Sequence, residues 1–354
     1  MKNSGRTRKA LITHYQQYPQ LQIQDLFKYL HQSSFGCEHM VSSLETATDF
    51  IRKESECVRN NSALVDRLDG NYSRVHLSYL NRGLSPVTLG KLFFESAKIE
   101  PDGKENPEHK LSIAKELINE KLLPFSADEF DEAVKAWQAQ GYPAVHHSDI
   151  FRNAYAPAYR VISNRFIPFL PLFAAIDKAL EKGRVILAIE GGSASGKTTL
   201  SQILKDIYGC TVFHMDDFFL RPVQRTRERL AEVGGNIDRE RFLEEVLIPL
   251  SKNEPVRYRR FDCATFELSP VTEVIPEKLT VIEGAYSMHP SLSEYYDISV
   301  FLDISPELQR QRIAVRNSPQ FAERFYNEWI PLENVYFSQM QVKQRCSMRI
   351  EISE

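Results

Sequence analysis

The chain has 354 residues, 44 Lys and Arg against 47 Asp and Glu for a formal net charge of −3, and five cysteines. Its length exceeds what one ordinary core organises, so two domains are expected, each able to bury a core without disulfides or metal. Near-balanced charge excludes a general drive toward nucleic acid or an anionic membrane. Cys37, Cys57, Cys210, Cys263 and Cys346 form no C-x-x-C pair, and their odd count argues for a reduced, cytoplasmic setting.

The first residues, Met1-Lys2-Asn3-Ser4-Gly5-Arg6, are basic, but no uninterrupted apolar run follows. Nowhere do eighteen apolar residues occur together, so neither a signal peptide nor a membrane span is expected. The first half reads as mainly helical: Leu111, Ala114, Ile118 and Leu122 share one helical face, and Phe130, Ala133, Val134 and Trp137 another. Three segments read as ordered polar loops, Ser33–His39, His146–Ser148 and Tyr155–Arg160. Seven of nine histidines (His14, His31, His39, His76, His109, His146, His147) precede residue 150, yet no H-E-x-x-H or Cys-His ligand spacing accompanies them, and scattered histidines belong mostly to surfaces and satisfied cores.

After Pro168, the stripe Phe169, Leu172, Phe173, Ile176 and Leu180 predicts a helix stopping at Lys182-Gly183. The domain junction is expected near residue 165, giving a mainly α-helical N-terminal domain over 1–165 and a second domain over 166–354. In the second domain apolar runs alternate with helical stretches: Val185–Ile189, Thr211–Phe213, Leu279–Ile282 and Ser299–Leu302. This alternation predicts an α/β fold, a parallel sheet with helices on both faces.

The run Gly191-Gly192-Ser193-Ala194-Ser195-Gly196-Lys197-Thr198 fits the phosphate-binding pattern G-x-x-x-x-G-K-[ST] without mismatch, and Thr199 opens a predicted helix. A strand feeding a glycine-rich turn and then a helix aims backbone N–H groups and the positive end of the helix dipole at one point, where a polyanion binds. Lys197 is expected to neutralise the β and γ phosphates of ATP and the Thr198 hydroxyl to ligate Mg²⁺.

The ends of the other strands carry the remaining chemistry. Asp216, in His214-Met215-Asp216-Asp217, is the candidate general base for an acceptor hydroxyl and a further candidate near the metal. Glu283 follows four apolar residues as a Walker-B acid would, on the Mg²⁺ side. Arg312 and Arg316 stand four apart on one helical face, as arginines that close over a transferring phosphoryl group do. The sequence has no guanine-reading N-K-x-D, no D-x-x-G switch after a strand and no L-S-G-G-Q signature, which sets aside GTPases and transporter ATPases.

Through Gly191–Thr199, Met215-Asp216-Asp217-Phe218-Phe219, Val281-Ile282-Glu283-Gly284 and the arginine helix 310–316, the second half resembles the uridine kinase and phosphoribulokinase group of P-loop small-molecule kinases. The resemblance implies a P-loop NTPase fold, ATP and Mg²⁺ as cofactors, and a small-molecule acceptor bearing a hydroxyl, with nucleoside the leading class. It implies Lys197 and Thr198 for phosphate and Mg²⁺, Asp216 as base, Glu283 as metal-side acid, and Arg312 and Arg316 as lid residues. The substrate-reading segments differ. Uridine kinases have a His-Pro-rich segment where this chain has Gly234–Phe242, and their base-bonding histidine falls at Phe266. Phe218, Phe219, Phe261 and Phe266 are candidates for stacking on a base, while Arg221, Arg225, Arg227 and Arg229 would suit an anionic acceptor. A nucleotide-sensing module without phosphotransfer is the rival outside this class, and self-association is one task the first half could serve.

Overall fold

Helix starts follow from local chemistry. Ser43, Ser85, Ser126, Ser148, Ser305 and Ser318 each accept a hydrogen bond from the amide three residues on. Pro86, Pro306 and Pro319 come directly after three of these caps, where a fixed φ and a missing N–H cost nothing. The computed structural model describes residues 2–37, 43–56, 64–99 and 107–353. Cys57 and the Glu38-His39 pair lie outside the described residues. The chain divides into two units, residues 1–170 and 171–354.

The first unit has seven helices among its described residues: α1 (Lys2–Gln17), α2 (Ile23–Phe35), α3 (Leu44–Ser55), α4 (Pro86–Ala97), α5 (Pro107–Asn119), α6 (Ala127–Ala139) and α7 (Asp149–Tyr155). The expected faces are buried at Leu111, Ala114, Ile118, Phe130 and Trp137, whereas Leu122 falls past the end of α5 and is exposed. Besides the helices there is an antiparallel sheet of β1 (Val65–Arg67), β2 (Tyr72–His76) and β3 (Tyr159–Ser163), with β2 central and buried throughout. Two of the expected polar loops are thereby corrected in part: Ser33–Phe35 is the last turn of α2, and Tyr159 and Arg160 open β3. The strands are short and carry Asp, Arg and His, which hides them from an apolar alternation test.

The interior of this unit is unusually polar. Arg74, Asp25, Lys28, Lys110, His76 and His147 are all buried. Asp66 accepts from Tyr18 Oη, Gln17 Nε2 and His76 Nε2, and these bonds hold its carboxyl well below the usual range despite burial.

In the second unit α8 (Leu170–Leu180), its first residue shared with the boundary, buries Leu172, Phe173 and Ile176. The sheet contains β4 (Val185–Gly191), β5 (Thr211–His214), β10 (Leu279–Glu283), β11 (Ile298–Ile304) and β12 (Met348–Ile352) in the order β12-β11-β4-β10-β5, every pair parallel. Between β5 and β10 lie two small ladders, β6 (Val256–Tyr258) with β9 (Thr272–Val274), and β7 (Phe261–Asp262) with β8 (Glu267–Leu268). Strand β12 went unread in the sequence because an edge strand of Met-Arg-Ile-Glu-Ile buries little. Central β4 is flanked by β10 and β11 and leads through the glycine loop into α9 (Lys197–Tyr208), whose Leu200, Ile203, Leu204 and Ile207 are buried. Phe213, Met215, Phe218, Phe242, Val246 and Ile282 form the core beside the β5 edge, each contributing about 1.5–3 kcal/mol by burial.

Candidate active site

The loop takes its shape from backbone freedom. Gly191 has φ 151°, and a Cβ there would sit 2.7 Å from the Leu302 carbonyl oxygen of neighbouring β11. Gly196, at φ 100°, turns the chain into α9, whose first-turn amides have no i−4 acceptor and point out of the helix start. Ser195 Oγ is buried without a hydrogen-bond partner. A glycine cradle, free helix amides and an unspent hydroxyl in one turn fit a phosphate chain. Lys197 Nζ donates to the carbonyls of Gly191 (2.8 Å) and Gly192 (3.1 Å), folded over the loop it would share with phosphate.

Side chains outside the motif grip this loop, and no sequence motif announces them. Glu333, buried on the helix Ile330–Gln339, accepts from the Ser193 amide at 2.9 Å and from Ser193 Oγ at 2.6 Å. Gln309 Nε2 donates to Ser193 O at 2.8 Å, and Arg312 Nη1 to Ala194 O at 3.3 Å. Glu190, fully buried at the end of β4, accepts from the Gly191 and Met288 amides and from Tyr336 Oη. Burial pushes the Glu190 carboxyl up to about 7, against the pull of those amides and of Lys197.

Parallel register brings the next groups together. Glu283, closing β10, lies level with Ile189 of β4 on one side and His214 of β5 on the other. His214 Nδ1 is 2.6 Å from Glu283 Oε1, and the carboxylate raises the imidazole pKa against the cost of burial. Thr198 Oγ1 reaches the same carboxylate oxygen at 3.3 Å. The expected acid and hydroxyl thus meet, with His214 as a third member that the sequence reading passed over.

Met215–Phe218 is a single 3₁₀ turn, in which residues three apart eclipse. Met215 and Phe218 therefore bury together while Asp216 is presented to solvent. Gly284, at φ 143°, lets the chain after β10 pass this turn, since a Cβ there would lie 2.6 Å from Met215 Cβ. Surrounding protein desolvates Asp216 even though solvent reaches it, as on the floor of a cleft, and raises its pKa. Lys197 and His214 oppose that rise and Glu283 adds to it, so Asp216 shares one electrostatic site with all three. Asp217 is raised by the same kind of burial.

Other expected groups stand apart. Arg316 is exposed, one turn beyond Arg312, with its guanidinium 5.8 Å from the Phe325 ring centroid. Arg229 is committed to Glu240 (2.7 Å), Glu232 and the Gly235 and Ile237 carbonyls, and Arg221 bonds Gln224. Among the aromatics Phe218 and Phe261 belong to the core, whereas Phe266 is 50% exposed. Arg225 lies over Phe261 and Phe266, 5.9 and 5.7 Å from their centroids. The nearby Cys263 thiol feels the charge of Asp216, so the 261–266 turn borders the same cleft.

Residues 186–324 match the Phosphoribulokinase / Uridine kinase family. A curated uridine kinase of Chlamydia pneumoniae is 29% identical over 142 residues, 38% of this chain and 64% of that protein. The chain therefore spans just under two thirds of that relative's length. Among solved structures, one titled as a possible uridine kinase from Bacillus stearothermophilus has 21% identity, covering 51% of this chain and 98% of that one at a TM-score of 0.38. The shikimate kinase of Acinetobacter baumannii has 20% identity, covering 50% and 88% at a TM-score of 0.30. The second half of the chain is thus similar to P-loop small-molecule kinases in sequence, and its own sheet is the parallel α/β sheet such a loop requires.

Proposed function

We propose, from the match of residues 186–324 to the Phosphoribulokinase / Uridine kinase family, that the chain is a kinase moving the γ-phosphoryl group of ATP to a hydroxyl of a small metabolite. The observation that carries this reading is the meeting of Lys197 and Thr198, the Glu283–His214 pair and Asp216 at the ends of three adjacent parallel strands. Lys197 exchanges the Gly191 and Gly192 carbonyls for the β and γ phosphates. Thr198 and Glu283 would hold Mg²⁺, which would supply positive charge to offset that of the phosphates. Asp216 accepts the acceptor's hydroxyl proton as the new O–P bond forms and ADP leaves. Arg312 neutralises the transferring group from above the loop, with Arg316 in a lesser, outer part.

For the acceptor, Phe266, half-exposed in the turn after β7, supports a nucleoside, since the open part of its ring can stack on a planar base. An anionic acceptor draws support from Arg225 and from exposed Arg260, whose charge reaches Asp217. The purified protein with ATP and Mg²⁺ is to be scored for ADP release against uridine, cytidine, ribulose 5-phosphate, pantothenate and glycerate. Stimulation by uridine or cytidine, lost in Asp216→Asn while ATP binding persists, is the expected result. Indifference of turnover to Asp216→Asn would instead identify a nucleotide sensor.

A further inference from the structure

A second site is lined wholly by residues of the first unit. It is a cavity of about 500 Å³, lined by the apolar Phe50, Phe93 and Val161 and by the polar Lys28, His147 and Tyr159 among others. Its charge is unbalanced. Arg160 at the rim is matched by a two-pronged ion pair with Glu54 at 2.9 and 3.0 Å, and Asp25 is consumed by His147 Nδ1, Ser148 and the Gln22 amide. Lys28 has no carboxylate within ion-pair distance among the described residues, only the Val145 carbonyl at 2.9 Å. Arg74 is 1% exposed, its Nε on Gln32 Oε1 at 2.8 Å, its guanidinium 4.7 Å from the Tyr159 ring centroid, and its Nη2 without a partner. Gln32 and Tyr159, the two residues Arg74 braces, both line the cavity.

A buried Lys28 without a counter-ion costs free energy that an anion arriving in the cavity would recover, and Arg74, set behind Gln32 and Tyr159, adds positive charge nearby. Lys28 shows that cost: burial, then the charges of Arg74 and Arg152, push its pKa down to about 8, with Asp25 alone opposing them. Polar groups on the wall define the rest of the ligand. Burial holds His147 down to about 4, so its ring is neutral at pH 7, and Nδ1–H facing the Asp25 carboxylate leaves Nε2 as acceptor. Tyr159 must then donate its hydroxyl proton to Nε2 at 2.7 Å, and its phenol oxygen, which takes only a long 3.4 Å bond from Gln32 Nε2, keeps capacity to accept from a ligand hydroxyl. The Glu54 carboxylate, shared with Arg160, also lines the cavity and has lone pairs to spare. A ligand filling the space needs one anionic group for Lys28, and hydroxyl donors for Tyr159 and Glu54.

We propose that the cavity lined by Lys28, Gln32, His147, Tyr159 and Arg160 is a binding site for a small hydroxylated organic anion, of the sugar phosphate or sugar acid class. Lys28 holds the anion, Tyr159 orients a hydroxyl, and the phenylalanine wall covers the carbon skeleton. The site belongs to the first unit and stands whether or not the second unit is a kinase.

Calorimetric titration of the full chain with ribose 5-phosphate, gluconate, inorganic phosphate and ribose tests this. At least one organic anion should bind at a single site, roughly tenfold or more tighter than both inorganic phosphate and ribose, with the phosphate and carboxylate arms telling the two sources apart. Lys28→Met should weaken that binding by about tenfold or more, and Tyr159→Phe by several-fold. Lys197→Ala, which disables the P-loop, should leave it unchanged. The proposal is overturned if neither organic anion surpasses ribose, if affinity survives Lys28→Met, or if it vanishes in Lys197→Ala. Should Lys28→Met not fold, Tyr159→Phe decides, and unaltered affinity there overturns it equally.

Discussion

Arg312 and Arg316 look equivalent on a helical wheel, yet only Arg312 bonds the phosphate loop, through the Ala194 carbonyl, while Arg316 rests on Phe325 some 6 Å further along the helix. Arg312→Ala should therefore lower acceptor-dependent ADP release by about 10²–10³, the range for removing one donor to developing charge, and Arg316→Ala by roughly threefold or less. Steady-state rates of the two variants side by side check this, and equal losses would count against the assignment. Glu190 gives a stability prediction. Its folded pKa of about 7 lies above the ordinary 4.5, so from pH 4.5 to 7 the folded state keeps a proton that the unfolded chain has released. Stability contributed by this group is thus full below pH 4.5 and is lost as pH rises through 7, by at most about 1.4 kcal/mol per pH unit. Melting temperatures of Glu190→Gln across that window should have a flatter pH dependence than those of the parent protein. Asp216, raised in the same direction, places the acidic limb of the activity profile above the ordinary aspartate range.

At the scale of elements, the 3₁₀ turn after β5 and the glycine turn after β10 form one mechanical unit. Met215 seals the turn into the core, and Gly284 passes against it at a φ that side chains rarely adopt. Gly284→Ala combines left-handed strain with a Cβ forced into Met215, at a cost of about 1–3 kcal/mol. The turn that carries Asp216 must shift to accommodate it, so thermal unfolding should drop and ADP release should fall more than ATP binding. Undiminished turnover in this variant would show that the position of Asp216 is not set by this packing. The glycine loop itself was legible as a motif because its backbone geometry demands particular residues at fixed spacing. Its clamps, Glu333 and Gln309, are ordinary polar residues on distant helices, and only the packed sheet and helices bring them to Ser193.

At the scale of the molecule, two units with separate cores sit on one chain. Residues 166–354 contain α8, the complete five-stranded sheet and every group assigned to phosphate chemistry. Expressed alone, they should fold with a single cooperative transition and bind Mg²⁺-ATP with an affinity within a few-fold of the full chain. A fragment that aggregates, or that has lost nucleotide binding, would show that the first unit is needed to complete the second. Among the described residues no helix is long and apolar enough to cross a membrane. The polar interior of the first unit, with Arg74, Lys28, Asp25 and His147 buried, suits the anion site proposed for it, since a buried cation without a matched carboxylate costs stability.

The residue order alone determined the phosphate loop, the four strands at 185, 211, 279 and 299 and the helix beginning near 170, because backbone chemistry and apolar periodicity act over a few residues. It also placed Asp216 and Glu283 at strand ends. Tertiary structure alone decided that Glu283 pairs with His214, that Arg229 is spent on Glu240, and that Phe261 is core while Phe266 is half-exposed. The short strands of the first unit and the edge strand β12 likewise emerged only on folding. Glu283 and His214 are 69 residues apart in sequence and Arg229 and Glu240 are 11, and proximity of that kind comes from sheet register and side-chain packing, which no local pattern encodes.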